Sequence, residues 1–532
     1  MTPNRLILLV ALWITATADH GFWSLFIATH GLTTATWLFA GSLAIAITAL
    51  NVIVLSILAP GRTLRPMLST LLVVCAVTSW FVDTYGVSIN YDMVRNVAQT
   101  NVSEARDFIG WSLLWRVLWQ AGLPIAYLWI VKLPRSTLRA SFKQYALTPV
   151  ISLLVLLVVA LPLYVSYASF FRNQTAAEHL IVPGNLIRAT GQLTIKQLMA
   201  NTPYEQVGVD AKRTVNINER TRPLLTVLVV GETARADDFS LGGYARTTNP
   251  LLAQRKVLYF ANVYSCGTAT AISVPCMFSD LPRSEFKLAK AEFRDNVLDV
   301  LQRSGLDMDW VDNQAGCKGV CKRIPHEQTN SNDPSLCAEG ECLDEMLLHV
   351  LQQKLTTVTT DSVLVLHQMG SHGPAYFRRI PYGHALFTPT CDTGRIETCT
   401  KQQIVNTYDN TIAYTDLVLA HVIDELQRRQ NELDSVLIYV SDHGESLGEN
   451  GLYLHGEPYS IAPDVQKHIP MLMWFSADTP NRLHLDLTCM QRKQQQALSH
   501  DNLSHTLLGL NDVNTSIYRP ELDLLHDCRS QS

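Results

Sequence analysis

Two periodicities divide the chain. Up to about residue 171, apolar residues run in five long stretches, residues 6–29, 37–59, 67–89, 112–131 and 147–170. Each reaches the roughly 20 residues that a helix needs to cross the hydrocarbon of a bilayer. Beyond residue 222 the apolar runs shorten to strand length and alternate with amphipathic helical stretches, a pattern that predicts α/β architecture. Residues 172–222 fit neither regime, with some amphipathic helix and a break at Pro183 and Gly184. The expected organisation is a five-helix transmembrane domain over 1–171, a linker with an amphipathic helix over 172–222, and a globular domain over 223–532.

The averages, 47% hydrophobic and 17% charged residues with mean hydropathy +0.09, conceal this division, and charge exposes it. Residues 1–171 carry 10 Lys and Arg against 5 Asp and Glu, net +5, whereas 172–532 carry 32 against 42, net −10. The second part is long enough to bury a full core. The balance excludes a disordered chain, a collagen-like repeat and a purely cytosolic enzyme, and it leaves no basic surplus for nucleic acid. The first stretch competes with a secretory signal, but it lacks a clear small-residue cleavage site and four more spans follow, so a retained helix is expected. Arg62 and Arg65 lie between spans two and three, and Lys132, Arg135, Arg139 and Lys143 between spans four and five. Basic short loops stay in the cytoplasm, which puts the N-terminus inside and the acidic domain outside. Asp19 is costly inside the first span; it marks either function or a helix that ends early.

Cysteine usage tests that placement. Cys75 is the one cysteine of the first part, and the other ten all follow residue 172. Cys266 and Cys276, Cys317 and Cys321, Cys337 and Cys342, and Cys391 and Cys399 are close neighbours, which suggests four local bridges and leaves Cys489 with Cys528. Thiolate-bound zinc is the competing reading, and it suits a reducing compartment.

Between spans three and four, an outside helix is expected near residues 90–107. Asn96, Thr100 and Glu104 recur there every four residues and so share one helix face. That face is either a solvated surface or a polar rim for a lipid headgroup.

Three strand-like runs in the globular part end in residues able to bind metal. Residues 224–230 precede Gly231-Glu232-Thr233, residues 362–366 precede His367 to His372, and residues 435–440 precede Ser441-Asp442-His443-Gly444-Glu445. Ligand sites of parallel sheets collect at the carboxyl ends of strands, so three such clusters point to a metal centre. A mixed oxygen and nitrogen set suits zinc or manganese better than calcium or magnesium. Residues 265–276 form a small-residue loop running into a helix, where a hydroxyl at the helix start would face free N–H groups and a favourable dipole. Such a hydroxyl is more commonly a plain N-cap.

Gly231-Glu232-Thr233-Ala234-Arg235-Ala236-Asp237, the segment 265–276, His367 to Pro374, and the run from Ser441 through Gly451 to Leu454-His455-Gly456 resemble the phosphoethanolamine transferases that modify lipid A, including the group conferring mobile colistin resistance. The resemblance reaches from the five spans and Asn96, Thr100 and Glu104 to Leu498-Ser499-His500-Asp501-Asn502. It implies an α-helical five-span membrane domain plus an extracytoplasmic α/β/α domain of alkaline-phosphatase/sulfatase type. It implies a principal zinc on Glu232, Thr270, Asp442 and His443, with Thr270 as nucleophile. His372 and His455, with His367 beside them, resemble second-metal or phosphate-contacting residues. Lys318 resembles a substrate-contacting lysine. Gln314 stands where some relatives have Asn, and Asn101 where Asp is common. Thr268 is a rival nucleophile, but Thr270 matches the family position and is closer to the helix.

The implied reaction is a pair of in-line displacements. A threonine hydroxyl on zinc has a lowered pKa, as zinc-bound water does; it takes phosphoethanolamine from phosphatidylethanolamine, and a lipid A phosphate then takes it from Thr270. Asn96, Thr100 and Glu104 would belong to the donor pocket. A monomeric enzyme of the bacterial inner membrane is expected, with its catalytic domain in the periplasm and a polymyxin-resistance phenotype. Kdo or core heptose as acceptor, a phosphoglycerol transferase, a phosphatase or sulfatase, and a non-enzymatic sensor are the competing readings.

Overall fold

Backbone polar groups in an apolar segment must find their partners within it, which favours helix. The first part of the computed structural model is built that way. Residues 1–31, 33–59, 61–91, 93–94, 97, 110–133, 138–199, 202–214, 222–329, 333–338 and 340–530 are described. The chain divides into two units, Met1–Thr202 and Pro203–Ser532, and the division falls within the stretch expected to be a linker.

The first unit contains α1 (Pro3–Thr17), α2 (His20–His30), α3 (Thr34–Leu58), α4 (Leu64–Tyr85), α5 (Trp111–Ile130), α6 (Ala146–Asn173) and α7 (Gly184–Met199). Among the described residues, α3 to α6 are each long and apolar enough to cross a membrane, and α1 with α2 make a fifth candidate bent by 54°. The first expected span is therefore two helices rather than one. The break lies at Asp19, whose buried carboxylate accepts the Val182 N–H at 2.7 Å. A buried acceptor must be satisfied, and at this break the Val182 N–H supplies the partner. Side chains of α6 such as Leu154 and Val158 are exposed, as a lipid-facing surface requires. Asn96, Asn101, Thr100 and Glu104 lie outside the described residues.

The second unit is built on an eight-stranded sheet of β1 (Leu224–Gly231), β2 (Leu258–Tyr264), β3 (Asp307–Asp312), β4 (His326–Gln328), β5 (Ser362–His367), β6 (Asp434–Ser441), β7 (His468–Phe475) and β8 (Leu498–Ser499), in the order β8-β2-β7-β6-β1-β5-β3-β4. The five strands from β6 to β4 are parallel to one another, and β7 runs antiparallel between β2 and β6. All eight residues of β1 and of β6 are buried, which explains their continuous rather than alternating apolar sequence. Register sets the site: Gly231 pairs with Ser441, Val230 with His367, and His367 with Asp312. Four strands thus end level at one edge.

On one face, Leu224, Leu228 and Val230 pack with Val274 and Phe278 at α8 (Thr270–Met277), Val297 and Leu301 of α10 (Val297–Arg303, following the short α9, Leu288–Ala291), and Leu507 of α13 (Asp501–Leu510). Between α10 and α13 in sequence, α11 (Glu345–Leu355) and α12 (Lys401–Arg428) pack on each other and cover the other face, where Leu225, Val227 and Val229 are equally buried. Thr400 and Gln403 form a capping box that starts α12, satisfying two otherwise orphaned N–H groups.

The ten cysteines of this unit pair as Cys266–Cys276, Cys317–Cys321, Cys337–Cys342, Cys391–Cys399 and Cys489–Cys528, and Cys75 is free. The last bridge spans 39 residues and the second only 4. Loop-closure entropy then predicts that Cys489→Ser with Cys528→Ser costs about 4 kcal/mol and Cys317→Ser with Cys321→Ser about 2 kcal/mol. Chemical denaturation of the two double variants checks this, and an equal loss would show that loop length does not govern these bridges.

Candidate active site

The level strand ends bring the candidate residues together. Glu232 follows β1 and Asp442 follows β6, and the Asp442 N–H donates to the Gly231 carbonyl at 2.9 Å. Both carboxylates are fully buried. Burial, followed by the charge of Asp442, pushes the Glu232 carboxyl up to about 7 against the pull of His443. Burial raises Asp442 to about 6, opposed by the N–H groups of Thr233 and His443 on its Oδ1, at 3.0 and 2.8 Å.

Thr270 opens α8. Its Oγ1 donates to Glu232 Oε2 at 3.0 Å and lies 3.3 Å from His443 Nε2. The positive end of the helix dipole lies beside that oxygen. Thr268, the rival nucleophile, donates instead to the Glu457 carbonyl at 2.6 Å. His443 Nδ1 lies 2.9 Å from the Gly444 carbonyl, which leaves Nε2 as the inward donor atom. Among the described residues, Glu232, His443 and His455 form a group whose ligand atoms lie within 4.8 Å of one another. No donor among the described residues bonds to Asp442 Oδ2, which is 3.3 Å from His443 Nε2. Two buried like charges with imidazoles between them, and a carboxylate oxygen that receives no proton donor, fit a cation better than they fit one another.

The remaining candidates surround this group. The rings of His443 and His455 have centroids 4.1 Å apart, and those of His455 and His372 6.4 Å. Gln314 Nε2 donates to Glu232 Oε2 at 3.0 Å, and Lys318 Nζ lies 3.3 Å from Gln314 Oε1. Glutamine at this position therefore keeps a contact with both neighbours. His367 is fully buried one layer behind, with Nδ1 3.1 Å from Asp312 Oδ2. Burial raises the Asp312 carboxyl, but bonds from His367, Trp310 and the Gln314 N–H outweigh it and hold it below the usual carboxylate value.

Several positioning residues were invisible to spacing. Glu445 Oε2 lies 3.3 Å from His455 Nδ1 and orients that ring. His500 accepts the Cys266 N–H at 3.0 Å on Nδ1, and its Nε2 lies 2.9 Å from the Ser441 carbonyl. It joins the loop before Thr270 to the end of β6, and burial lowers its pKa to about 4, keeping it neutral for both bonds. Thr233 sits at φ +59° and donates to Glu232 Oε1 at 2.6 Å, while its carbonyl accepts from Tyr408 at 2.7 Å. A strained threonine persists only where its surroundings hold it. Asp344 accepts the N–H groups of Met369 and Gly370 at 2.8 and 2.9 Å, fixing the loop that carries His372. One signal was available: Glu445 and His500 both stood inside the quoted motifs.

Residues 225–513 match the family model described as Sulfatase, and residues 47–198 match the one described as Phosphoethanolamine transferase EptA/EptB. The chain is 46% identical over 473 residues to phosphoethanolamine transferase EptA of Escherichia coli (strain K12), covering 88% of this chain and 86% of that protein. It is 37% identical over 526 residues to phosphatidylethanolamine transferase Mcr-2 of Escherichia coli, covering 96% of each. Among solved structures, the integral membrane protein lipooligosaccharide phosphoethanolamine transferase A (EptA) from Neisseria meningitidis matches with a TM-score of 0.68 and 38% identity, over 99% of both chains.

Gly370 has φ +52°, and a Cβ there would lie 2.6 Å from the Glu232 carbonyl oxygen. Gly370→Ala is expected to destabilise the protein by about 3 kcal/mol through left-handed strain and overpacking, and to lower bound divalent metal. Denaturation and elemental analysis read both effects; wild-type values for both would mean that the loop does not press on Glu232.

Proposed function

The chain belongs to the phosphoethanolamine transferase family, and from that premise we propose that it moves phosphoethanolamine from phosphatidylethanolamine to a phosphate of lipid A, with Thr270 carrying the group between them. The observation that carries this reading is a threonine hydroxyl at the start of a helix, 3.0 Å from Glu232 Oε2 and 3.3 Å from His443 Nε2. Glu232, Asp442, His443 and the Thr270 oxygen would hold a zinc ion, and His455 is near enough to join them. Carboxylate and imidazole donors of this kind suit zinc. Bound there, zinc supplies Lewis-acid charge that favours the ionised form of the Thr270 hydroxyl.

Thr270 Oγ1, its proton released, attacks the phosphorus of the donor in line with the diacylglycerol oxygen, which departs and takes up a proton, and phosphoethanolamine remains esterified to Thr270. An acceptor phosphate oxygen then attacks the same phosphorus and Thr270 Oγ1 departs. His372 and Lys318 offset charge on the non-bridging oxygens, which is most of what phosphoryl transfer asks of a protein. Gln314 and Thr233 hold Glu232 in place, and His367 acts through Asp312. The bent pair counts as one of five spans, with the N-terminus in the cytoplasm and the second unit in the periplasm, anchored in the inner membrane. Asn96, Thr100 and Glu104 would bind the donor lipid. Confinement of enzyme and both lipids to one membrane surface raises their effective concentration. The product carries an added amine on an anionic phosphate, so the surface attracts cationic peptides less, and polymyxin and colistin resistance follows.

Mass spectrometry of lipid A from a polymyxin-sensitive Gram-negative host tests this directly. The wild type is expected to add one phosphoethanolamine, Thr270→Ala to lose at least about 10³-fold in rate, and Thr268→Ser to retain most activity. Undiminished transfer by a folded Thr270→Ala would sink the covalent route. Chelation of purified protein is expected to abolish turnover until zinc is restored, and activity at zero metal content would remove zinc from the scheme.

A further inference from the structure

A cavity of about 660 Å³ lies against the nucleophile helix, with Pro275 of α8 and Ser279 just beyond it in one wall. Lys287 and Lys290, at the start of and within α9, form a second wall, and Lys318 forms a third. Lys318 connects the cavity to the candidate site, since Gln314 accepts from it and donates to Glu232. The volume falls in the range of natural small-molecule sites and has room for a phosphorylated sugar.

Most charges around the cavity neutralise one another. Lys322 pairs with Glu292 at 2.8 Å, Arg294 with Asp280 at 2.8 Å and also with Glu205, and Asp295 with Arg303 at 2.6 Å. Among the described residues, Lys287, Lys290 and Lys318 have no ion-pair partner, against the single unpaired Glu285. Lys318 Nζ bonds only to uncharged acceptors, Gln314 Oε1 and, at 2.8 Å, the Ala315 carbonyl. An unneutralised cationic surface lining a cavity recognises an anion, and flexible ammonium groups suit phosphate as point charges.

We infer that this cavity is a second phosphate subsite, which holds the acceptor by a phosphate other than the one being esterified. The inference rests on the transfer reading above, whose acceptor has a sugar core phosphorylated at both ends. Thr270 addresses one phosphate, and Lys287 and Lys290 engage the other. Binding a non-reacting part of the substrate in this way fixes the reacting phosphate in line with the phosphoryl group. Lys287 and Lys290 are binding residues here, and neither touches the reacting atoms.

The test uses the full-length protein in detergent with phosphatidylethanolamine as donor and either bis-phosphorylated or mono-phosphorylated lipid A as acceptor. Diacylglycerol release without acceptor reads the first displacement, and the kcat/KM ratio of the two acceptors reads the subsite. The wild type is expected to prefer the bis-phosphorylated acceptor by about tenfold, a preference that weakens with added salt. Lys287→Ala with Lys290→Ala is expected to release diacylglycerol at the wild-type rate and lose most of the preference. Lys287→Arg with Lys290→Arg is expected to retain it, which separates charge from shape. An unchanged ratio in the alanine variant, with normal diacylglycerol release, would overturn the subsite alone. No diacylglycerol release by the wild type would overturn the transfer reading and the subsite together.

Discussion

The second unit is organised around two carboxylates that repel each other. Because β1 and β6 are hydrogen-bonded neighbours with Gly231 opposite Ser441, the next residue of each strand, Glu232 and Asp442, must lie side by side at the edge of a fully buried sheet. Neither charge reaches water. Such a pair is tolerable only if hydrogen-bond donors, a proton or a cation offset the cost of burial. Thr233, Thr270 and Gln314 donate to Glu232, and backbone N–H groups serve one oxygen of Asp442. The surrounding loops can be read as a means of delivering those donors.

That delivery explains features that would otherwise weaken the fold. Thr233 is strained because its N–H, hydroxyl and carbonyl are each needed, by Asp442, Glu232 and Tyr408 respectively. Gly370 is glycine because the loop must touch Glu232 backbone. His500 reaches from α13's edge to bind Cys266 and Ser441, and Ser273 donates to the Asp442 carbonyl one helical turn from Thr270. Each contact links elements far apart in sequence. The Thr270 hydroxyl is therefore placed beside Glu232 and His443 by the whole sheet edge rather than by its own loop.

The two halves of the chain answer to different solvents. In the first unit the core is assembled from helices whose outward residues stay apolar, whereas in the second the apolar residues lie between sheet and helices. The agreement of chain-length relatives over both units indicates that membrane anchoring and transfer chemistry belong to one inherited design. A lipid-modifying reaction explains the combination, because donor and acceptor are both confined to a membrane surface.

Composition and periodicity by themselves determined the division into a membrane part and an α/β part, the helical spans from the second onward, the strands β1, β5 and β6, and the three clusters at their ends. These are local properties: runs of apolar residues, alternation and turn chemistry survive in any single segment. A helix ending early at Asp19 is one of two readings the sequence offers, but the distant Val182 N–H that its carboxylate accepts is not legible there. Thr270 is preferred to Thr268 for its family position and its place nearer the helix, but only the fold shows that one hydroxyl faces Glu232 and the other the Glu457 carbonyl. His455 could be named but not seated beside His443, and Glu445, His500, Asp312 and Asp344 could not be assigned at all. Their roles come from the tertiary fold, which brings together residues as far apart as Cys266 and His500, 234 positions, by non-local pairing that no segment carries within itself.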